Sequence, residues 1–193
     1  MRLTLVSAPA TEPLTVAEAK LHLRVDVSDD DALITSLIVA ARQHVENFTR
    51  RALITQTWDV LMDRFCGDEI VLPKAPVSAV GSIKYYDTSG ALQTWSSDEY
   101  LTEFPVGPQA GPARITPISG VAFPSTQDRI GAVQIRITAG YGAASAVPDG
   151  LKAAMRLLIG HWYGNREAVV TGAIATDLPQ AIDSLLWPFK VFA

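Results

Sequence analysis

The most regular stretch of the chain is DDALITSLIVAARQHVENFT, residues 30–49. Its apolar side chains recur every three or four residues, which is the period of an amphipathic α-helix. They are Leu33, Ile34, Leu37, Ile38, Ala41, Val45 and Phe48. Arg42, Glu46 and Arg50 follow one another at i, i+4 spacing, which favours a solvated face. This stretch therefore predicts a long helix that packs one side against a core.

A shorter helix is predicted before it. Thr15-Val16-Ala17-Glu18 has the spacing of a capping box, in which the hydroxyl accepts a backbone N–H and the carboxylate reaches back. The helix covers about residues 15–25 and ends at the Asp-rich segment 26–31. That segment can cap the long helix, because carboxylates suit the positive N-terminal end of a helix. Residues 1–54 are thus predicted to be an N-terminal helical part.

The middle of the chain, residues 55–148, has the composition and alternation of β-strands. The strand candidates are residues 55–62, 69–72, 82–87, 92–95 and 132–138, with weaker ones at 99–102 and 113–116. Gly90 favours a hairpin between two of them, since glycine adopts positive φ without strain. Residues 104–131 contain five prolines, which favours loops.

Residues 149–193 are predicted to be helical again. A helix begins at Pro148-Asp149 and can end at Gly164-Asn165, and a shorter one begins at Asp177-Leu178-Pro179. The predicted fold is therefore α+β, in one structural unit. A helical body from the N- and C-terminal helices carries a β-rich insertion over residues 55–148.

Composition excludes several classes of protein. The chain has 193 residues, 48% hydrophobic and 19% charged, with a formal net charge of −4. This acidity argues against a broad basic surface that grips nucleic-acid phosphates. The single cysteine, Cys66, excludes a disulfide framework and a thiolate metal cluster. We expect no membrane span, because no apolar run approaches the roughly 20 residues that one needs.

Three patterns could carry chemistry, and each is weak. Gly140-Tyr141-Gly142 lies between a strand and a helix, but Ser145 stands where a dinucleotide fingerprint requires a third glycine. His161 lies late in a predicted helix without a motif that supplies a nucleophile. The acidic residues of 26–31 lack the glycine and distal glutamate of a calcium loop. We predict no catalytic residue, cofactor or metal site.

The end of the chain is unusually apolar. Four large apolar residues lie within its last seven positions: Trp187, Phe189, Val191 and Phe192. The terminal residues of other proteins are commonly disordered. Two interpretations remain open. The segment folds back onto the core, or it is a hydrophobic arm for a partner, since buried aromatic side chains dominate interface energetics.

Seven segments, taken in order, suggest a family. They are LTVAEAKLHLRVD (14–26), AARQHVE (40–46), RALITQTW (51–58), PKAPV (73–77), AGYG (139–142) leading to 147–148, HWYGNRE (161–167) and residues 178–186. In this combination the chain resembles the head–tail connector (adaptor) family of long-tailed bacteriophages and related gene-transfer particles. The resemblance covers nearly the whole chain, and no single segment is diagnostic.

The resemblance implies a structural protein of the virion neck, assembled in the bacterial cytoplasm. Members of this family form a ring, commonly of about 12 copies, beneath the portal protein. The ring extends the DNA channel and docks the next neck or tail protein. DNA is expected to pass without specific binding, because a mildly acidic channel does not neutralise phosphates. The family offers no catalytic residues to carry over.

The predicted partner interface consists of Trp187, Phe189, Val191, Phe192 and Arg166. We expect the apolar segment to dock on the portal or to become ordered on assembly. Two alternatives stay open. One is another neck or tail protein of the same particle, although a tail terminator or tube protein should be β-dominated, unlike residues 30–49. The other is a small nucleotide-binding enzyme that uses the turn from Gly140 to Ser145.

Overall fold

The structure is a computed structural model that describes residues 1–165 and 179–192. Helices and strands both occur, in agreement with the predicted α+β class. The helices are α1 (Val16–Leu23), α2 (Asp31–Thr49), α3 (Asp149–Gly164) and α4 (Pro179–Leu186). The strands are β1 (Arg2–Ser7), β2 (Gln56–Met62), β3 (Ile70–Val71), β4 (Val77–Tyr86), β5 (Leu92–Thr94), β6 (Tyr100–Glu103), β7 (Arg114–Pro117) and β8 (Val133–Ala139). No described helix is both long and apolar enough to cross a bilayer.

The capping box at α1 is confirmed. The Thr15 hydroxyl accepts from the Glu18 backbone N–H at 3.1 Å, and the Glu18 carboxylate accepts from the Thr15 N–H at 2.8 Å. These hydrogen bonds hold the pKa of Glu18 below its ordinary value. The helix ends at Arg24, whose φ of 58° takes the left-handed conformation of a helix C-terminus.

The helices share one apolar core. α3 packs against α1, α2 and α4, so helices from both ends of the chain meet. Tyr163, near the end of α3, donates its hydroxyl hydrogen to Asp30 at the start of α2. The fully or nearly buried side chains of this core include Leu14, Ile34, Ile38, Val45, Leu53, Leu151, Met155, Ile159, Ile182 and Leu186.

The prediction of a solvated face on α2 is wrong for Arg42 and Glu46. Both are buried, with 7% and 5% of their surface exposed. Glu46 accepts from Arg42 Nη1 at 2.8 Å, from the Leu53 backbone N–H at 2.9 Å and from the Gln56 amide. The chain covers this side of α2 as it turns from the helix into β2, so the ion pair lies inside the protein. Such a pair is tolerable because its polar atoms are hydrogen-bonded.

The strands form two antiparallel sheets. The larger has the order β1-β2-β8-β4-β5, and the smaller has the order β3-β7-β6. β8 lies at the centre of the larger sheet, where Val133, Ile135 and Ile137 are fully buried on one face. On the other face, Asp59 and Arg136 form an ion pair at 2.9 Å. The alternation predicted over 132–138 is therefore the division between an apolar and a polar face.

The first strand differs from prediction. Residues 1–54 were expected to be helical, yet Arg2–Ser7 is a strand at the edge of the larger sheet. It pairs antiparallel with β2, and the register places Leu3 beside Val60 and Leu5 beside Trp58. All six residues of β1 are exposed. The strand therefore forms because β2 supplies a backbone ladder, not because β1 buries an apolar face of its own.

Candidate partner interface

The apolar end of the chain follows α4 directly. Trp187–Phe189 form one turn of 3₁₀ helix, and residues 190–192 continue without regular structure. We call residues 187–192 the C-terminal segment. The segment lies against the end of α2, since the Val191 backbone N–H donates to the carbonyl of Thr49 at 3.0 Å.

Part of this segment is anchored in the helical core. Val191 is 6% exposed, and Leu186, immediately before the segment, is fully buried. The Phe189 ring packs beside α3 at Gly150, where an added Cβ would lie 3.0 Å from the ring. Glycine at that position therefore leaves the space that Phe189 occupies. These contacts agree with the interpretation that the segment folds back onto the core.

The other part is displayed to solvent. Trp187 is 58% exposed and Phe192 is 67% exposed. Their ring centroids lie 5.8 Å apart in an edge-to-face arrangement. The Lys190 ammonium lies 5.1 Å from the Trp187 centroid and 5.7 Å from that of Phe192, and it also lies 4.9 Å from the Phe48 ring. An ammonium at these distances is attracted by the aromatic faces, which orders the exposed pair.

Arg51 holds the segment from below. It is 2% exposed, and its Nε donates to the carbonyl of Phe189. Burial lowers the pKa of the Arg51 guanidinium, and the neighbouring Tyr141 partly opposes that shift. Its Nη1 atom is buried and has no hydrogen-bond partner among the described residues. Losing the bond to Phe189 would leave a second donor of this buried guanidinium without a partner, which costs free energy. The bond therefore fixes the position of the Phe189 carbonyl.

The position of Arg51 is itself fixed by α2. Arg50 ends the helix with a φ of 57°, and the Arg51 backbone N–H donates to the Glu46 carbonyl at 3.1 Å. Glu46 in turn binds Arg42, Leu53 and Gln56, as described above. The buried ion pair and the C-terminal segment therefore share one structural support.

The five residues of the predicted interface have different outcomes. Trp187 and Phe192 are exposed together, whereas Phe189 and Val191 serve mainly as anchors. Arg166 lies outside the described residues. Sequence reasoning missed Lys190 and Arg51. Lys190 has aromatic neighbours in the sequence, which is a signal for a cation–π contact. The sequence around Arg51 contains no feature that distinguishes it from an exposed arginine.

The turn at Gly140 is explained by packing. Gly140 has a φ of +127°, and an added Cβ would lie 2.4 Å from the carbonyl oxygen of Ile54. Its N–H donates to the Pro76 carbonyl, and the Tyr141 N–H donates to the Leu53 carbonyl. A phosphate needs such backbone donors to be free. The glycine therefore gives no support to a nucleotide site.

A groove of about 680 Å³ lies beside this turn, between residues 104–108 and the start of α3. It is lined mainly by apolar side chains and prolines, and Asp149 is the charged residue among its described walls. Tyr141 closes one side by donating its hydroxyl hydrogen to the Pro108 carbonyl at 2.6 Å. A groove with a carboxylate and no cationic lining residue is unfavourable for a phosphorylated ligand.

The other chemical candidates have structural partners. His161 lies in the last turn of α3, where Asn165 caps the helix through the His161 carbonyl. In the acidic segment, Asp31 accepts from Lys20 Nζ at 2.7 Å. Cys66 is exposed. Within residues 1–165 and 179–192, no group of three or more His, Cys, Asp or Glu side chains is placed to hold a metal ion.

Comparison with known families identifies the N-terminal half. Residues 13–103, just under half of the chain, match the family described as phage gp6-like head-tail connector protein. This segment is similar to gp6-like head–tail connector proteins. The match includes α1, α2 and the strands from β2 to β6, so it contains the helix end on which the C-terminal segment rests.

Several solved structures are similar to the whole chain. One chain from the neck of an empty gene transfer agent (GTA) particle, computed with C6 symmetry, is 28% identical with a TM-score of 0.81. A chain from the virion of a native GTA particle is 26% identical with a TM-score of 0.80. A third, from the neck of a native GTA particle computed with C12 symmetry, is 26% identical with a TM-score of 0.78. Each alignment covers 100% of this chain and 97% of the other. No curated protein matches the sequence significantly.

Proposed function

We propose that the chain is a structural head–tail connector of the neck of a phage-like or gene-transfer particle. The observation that carries this proposal is the similarity of its full length to chains from GTA necks, at 26–28% identity. The gp6-like match over residues 13–103 supports the same role independently. The three predicted parts, residues 1–54, 55–148 and 149–193, act as one structural unit in this proposal.

The proposed assembly is a ring of about 12 copies that extends the DNA channel below the portal protein and docks the next neck or tail protein. The related necks were computed with C6 and C12 symmetry, which supports a cyclic arrangement. The net charge of −4 suits a channel through which DNA slides, since a basic surface would release counterions and hold the phosphates.

The proposed role is not enzymatic. The family and the neighbouring structures are structural virion proteins. The packing role of Gly140 and the acidic wall of the nearby groove also favour this reading over a nucleotide-binding enzyme.

The C-terminal segment is the proposed contact with the portal. Trp187 and Phe192 present a rigid aromatic pair, and Lys190 between them adds a positive charge. The complementary partner surface is an apolar pocket with an acidic rim, because aromatic anchors gain most when they are fully desolvated in a pocket. Arg166, which belongs to the predicted interface, is proposed to contribute there too.

Co-sedimentation with the portal ring of the same particle, followed by electron imaging, tests the connector role. We expect a heavier complex with an added collar, whose mass gives the number of copies. An intact portal ring that binds none of the chain would contradict the proposal. It would then favour a protein that acts further down the tail.

A pair of substitutions tests the portal contact more sharply than truncation. Removing residues after Leu186 also deletes the Val191 anchor, so loss of binding could reflect a damaged core. Trp187→Ser with Phe192→Ser changes exposed rings and leaves the anchors in place. We expect portal binding to fall by about 100-fold, as for loss of two interface anchors. Leu21→Ser, at an 82% exposed leucine on α1, is the matched control. Equal binding by the double variant and the control would refute this contact.

A further inference from the structure

The strand β1 is an open edge of the larger sheet. It is the outermost strand beside β2, and each of its six residues is exposed. Its structural attachment is the ladder with β2 from Arg2 to Ser7. In an antiparallel ladder, alternate residues direct their N–H and C=O groups away from the partner strand. About half of the backbone groups of β1 therefore face outward, as they do on any edge strand.

Most of this edge lacks the usual protection. Natural proteins blunt open edges with prolines, bulges or inward-pointing charges. The ladder of β1 is regular from Arg2 to Leu5 and has a register shift between Leu5 and Ser7, and the regular stretch contains no proline and one charged side chain, Arg2. The opposite edge of the sheet is β5, a strand of three residues, whereas β1 has six. β1 is thus the longer edge for pairing with another strand.

The side chains of β1 extend the apolar face of the sheet. Leu3 lies beside Val60, which pairs with buried Ile135 of β8, and Leu5 lies beside Trp58, which pairs with buried Ile137. Val60 is fully buried, but Leu3 is 38% exposed and Leu5 is 44% exposed. The apolar face therefore runs beyond the buried core onto a strand that the described residues cover only in part.

We propose that β1 is the strand by which one copy of the chain joins the next in the ring. Its outer edge pairs with a strand of the second copy, and Leu3 and Leu5 become buried in that contact. This inference rests on the proposed connector function, which places copies side by side. Contacts in a cyclic ring are heterologous, so the surface that receives β1 is a different part of the neighbour.

The second copy is the occupant that the chain's own structure favours. A backbone edge is complementary to another strand edge, and the chain presents further edges at β5 and β6. Those strands are also exposed, and they carry Leu92 at 54% and Leu101 at 61% exposure. Apolar side chains beside an open backbone edge are thus available on both sides of such a contact.

Thiol protection in the assembled collar tests this inference. The single cysteine is exposed, so Cys66→Ser gives a background without thiols into which Leu5→Cys is introduced. We expect a maleimide to modify Leu5→Cys about tenfold more slowly in the collar on the portal ring than in the free chain. The control is Val106→Cys, at a residue 91% exposed in a loop, whose modification rate should change little. Equal rates for Leu5→Cys in the free and assembled chain would overturn the proposal.

The number of chains bound per portal ring distinguishes whether a second copy of the chain or the portal covers β1. With about one chain per portal ring, no neighbour is present, and Leu5→Cys should react as in the free chain. Protection at this low loading would show that the portal covers β1, and the inference would be wrong. If no collar forms at any loading, the connector function fails instead. Sedimentation of the concentrated chain alone then decides: Leu3→Lys with Leu5→Lys should weaken its self-association, and an unchanged mass distribution would overturn the strand contact.

Discussion

The two ends of the chain are attached to the protein in opposite ways. β1 is held by its backbone ladder with β2, and all of its side chains are exposed. The C-terminal segment is held by buried side chains and by two hydrogen bonds, from Arg51 to Phe189 and from Val191 to Thr49. Both ends present apolar side chains to solvent, Leu3 and Leu5 at one and Trp187 and Phe192 at the other.

This difference indicates which residues can be substituted without destabilising the fold. A strand without buried side chains contributes little to the core, so substitutions there should act on assembly. The exposed rings at the other end depend on anchors inside the helical core, so their position and the global stability are linked. Substitutions that separate these two kinds of attachment should therefore have effects of different size.

The largest expected difference is between Leu186 and Leu5. Leu186 is fully buried in the helical core, whereas Leu5 is 44% exposed on β1. Leu186→Ala should lower the free energy of unfolding by about 2–5 kcal/mol, because it removes apolar contacts and leaves a cavity. Leu5→Ala should lower it by less than about 1 kcal/mol. Urea unfolding monitored by circular dichroism measures both. Similar losses for the two variants would show that β1 contributes to the core.

Arg51 should have the next largest effect. Arg51→Met removes the bond to the Phe189 carbonyl but also removes a poorly paired buried charge, so the net loss of stability should be about 1–2 kcal/mol. The segment itself should loosen more than the core. We expect amide hydrogen exchange at Val191 to accelerate at least tenfold, while exchange in β2 and β8 changes in proportion to global stability alone. Exchange at Val191 that matches the global change would mean that Arg51 does not anchor the segment.

Most secondary-structure elements could be predicted because their signals are local. The apolar period of residues 30–49, the capping box at Thr15 and the alternation of 132–138 each lie within one element. β1 was missed because six residues carry too short a pattern, although Leu3 and Leu5 do alternate with polar residues. Its ladder with β2 spans some fifty residues of sequence, which no local pattern reports.

For the candidate interface, the sequence predicts which residues are apolar but not which of them are exposed. The apolar residues of the C-terminal segment were visible, but their division into anchors and exposed rings was not. Val191 and Phe192 are neighbours in sequence, yet one is buried and the other is 67% exposed. That division depends on the end of α2, about 140 residues earlier. The burial of Arg51 has the same origin, since the distant C-terminal segment lies against its guanidinium.

A smaller effect is expected at Lys190, which orders the exposed rings. Lys190→Met keeps the length of the side chain but removes the charge that lies near Trp187, Phe192 and Phe48. Stability should fall by about 0.5–1 kcal/mol, the usual size of a partly exposed cation–π contact. The chemical shift of the Trp187 indole N–H should move toward that of a free tryptophan. Lys152→Met on α3 is the control for loss of a positive charge. An unchanged Trp187 resonance would mean that packing alone positions the ring.

The smallest expected effect is a pH dependence of stability that arises at Asp59, beside β1, and not at the C-terminal segment. Asp59 lies beside Thr4 of β1, and its hydrogen bonds from Arg136 and Gln134 hold its pKa below the ordinary value. A carboxyl whose pKa is lower in the folded state contributes stability above its unfolded pKa, near 4, and loses it as pH falls through the folded pKa. Wild type should therefore be more stable than Asp59→Asn by about 1 kcal/mol or less at pH 7, and this difference in unfolding free energy should shrink as pH falls below about 4.

The C-terminal segment should not share this pH dependence. The hydrogen bonds from Arg51 and Val191 join a guanidinium and an amide to backbone carbonyls, and the cation–π contacts involve Lys190, so no carboxylate takes part in these contacts. Urea unfolding of wild type and Asp59→Asn at pH 7, 5 and 3 measures how the contribution of Asp59 to stability depends on pH. The ratio of amide exchange at Val191 to global stability, measured at the same pH values, shows whether the attachment of the C-terminal segment depends on pH. A stability advantage of wild type that stays constant from pH 7 to pH 3 would show that folding does not stabilise the Asp59 anion. A pH-dependent ratio at Val191 would show that a carboxylate supports the segment, and Glu46, whose carboxylate accepts from the Leu53 N–H, would then be the group to substitute.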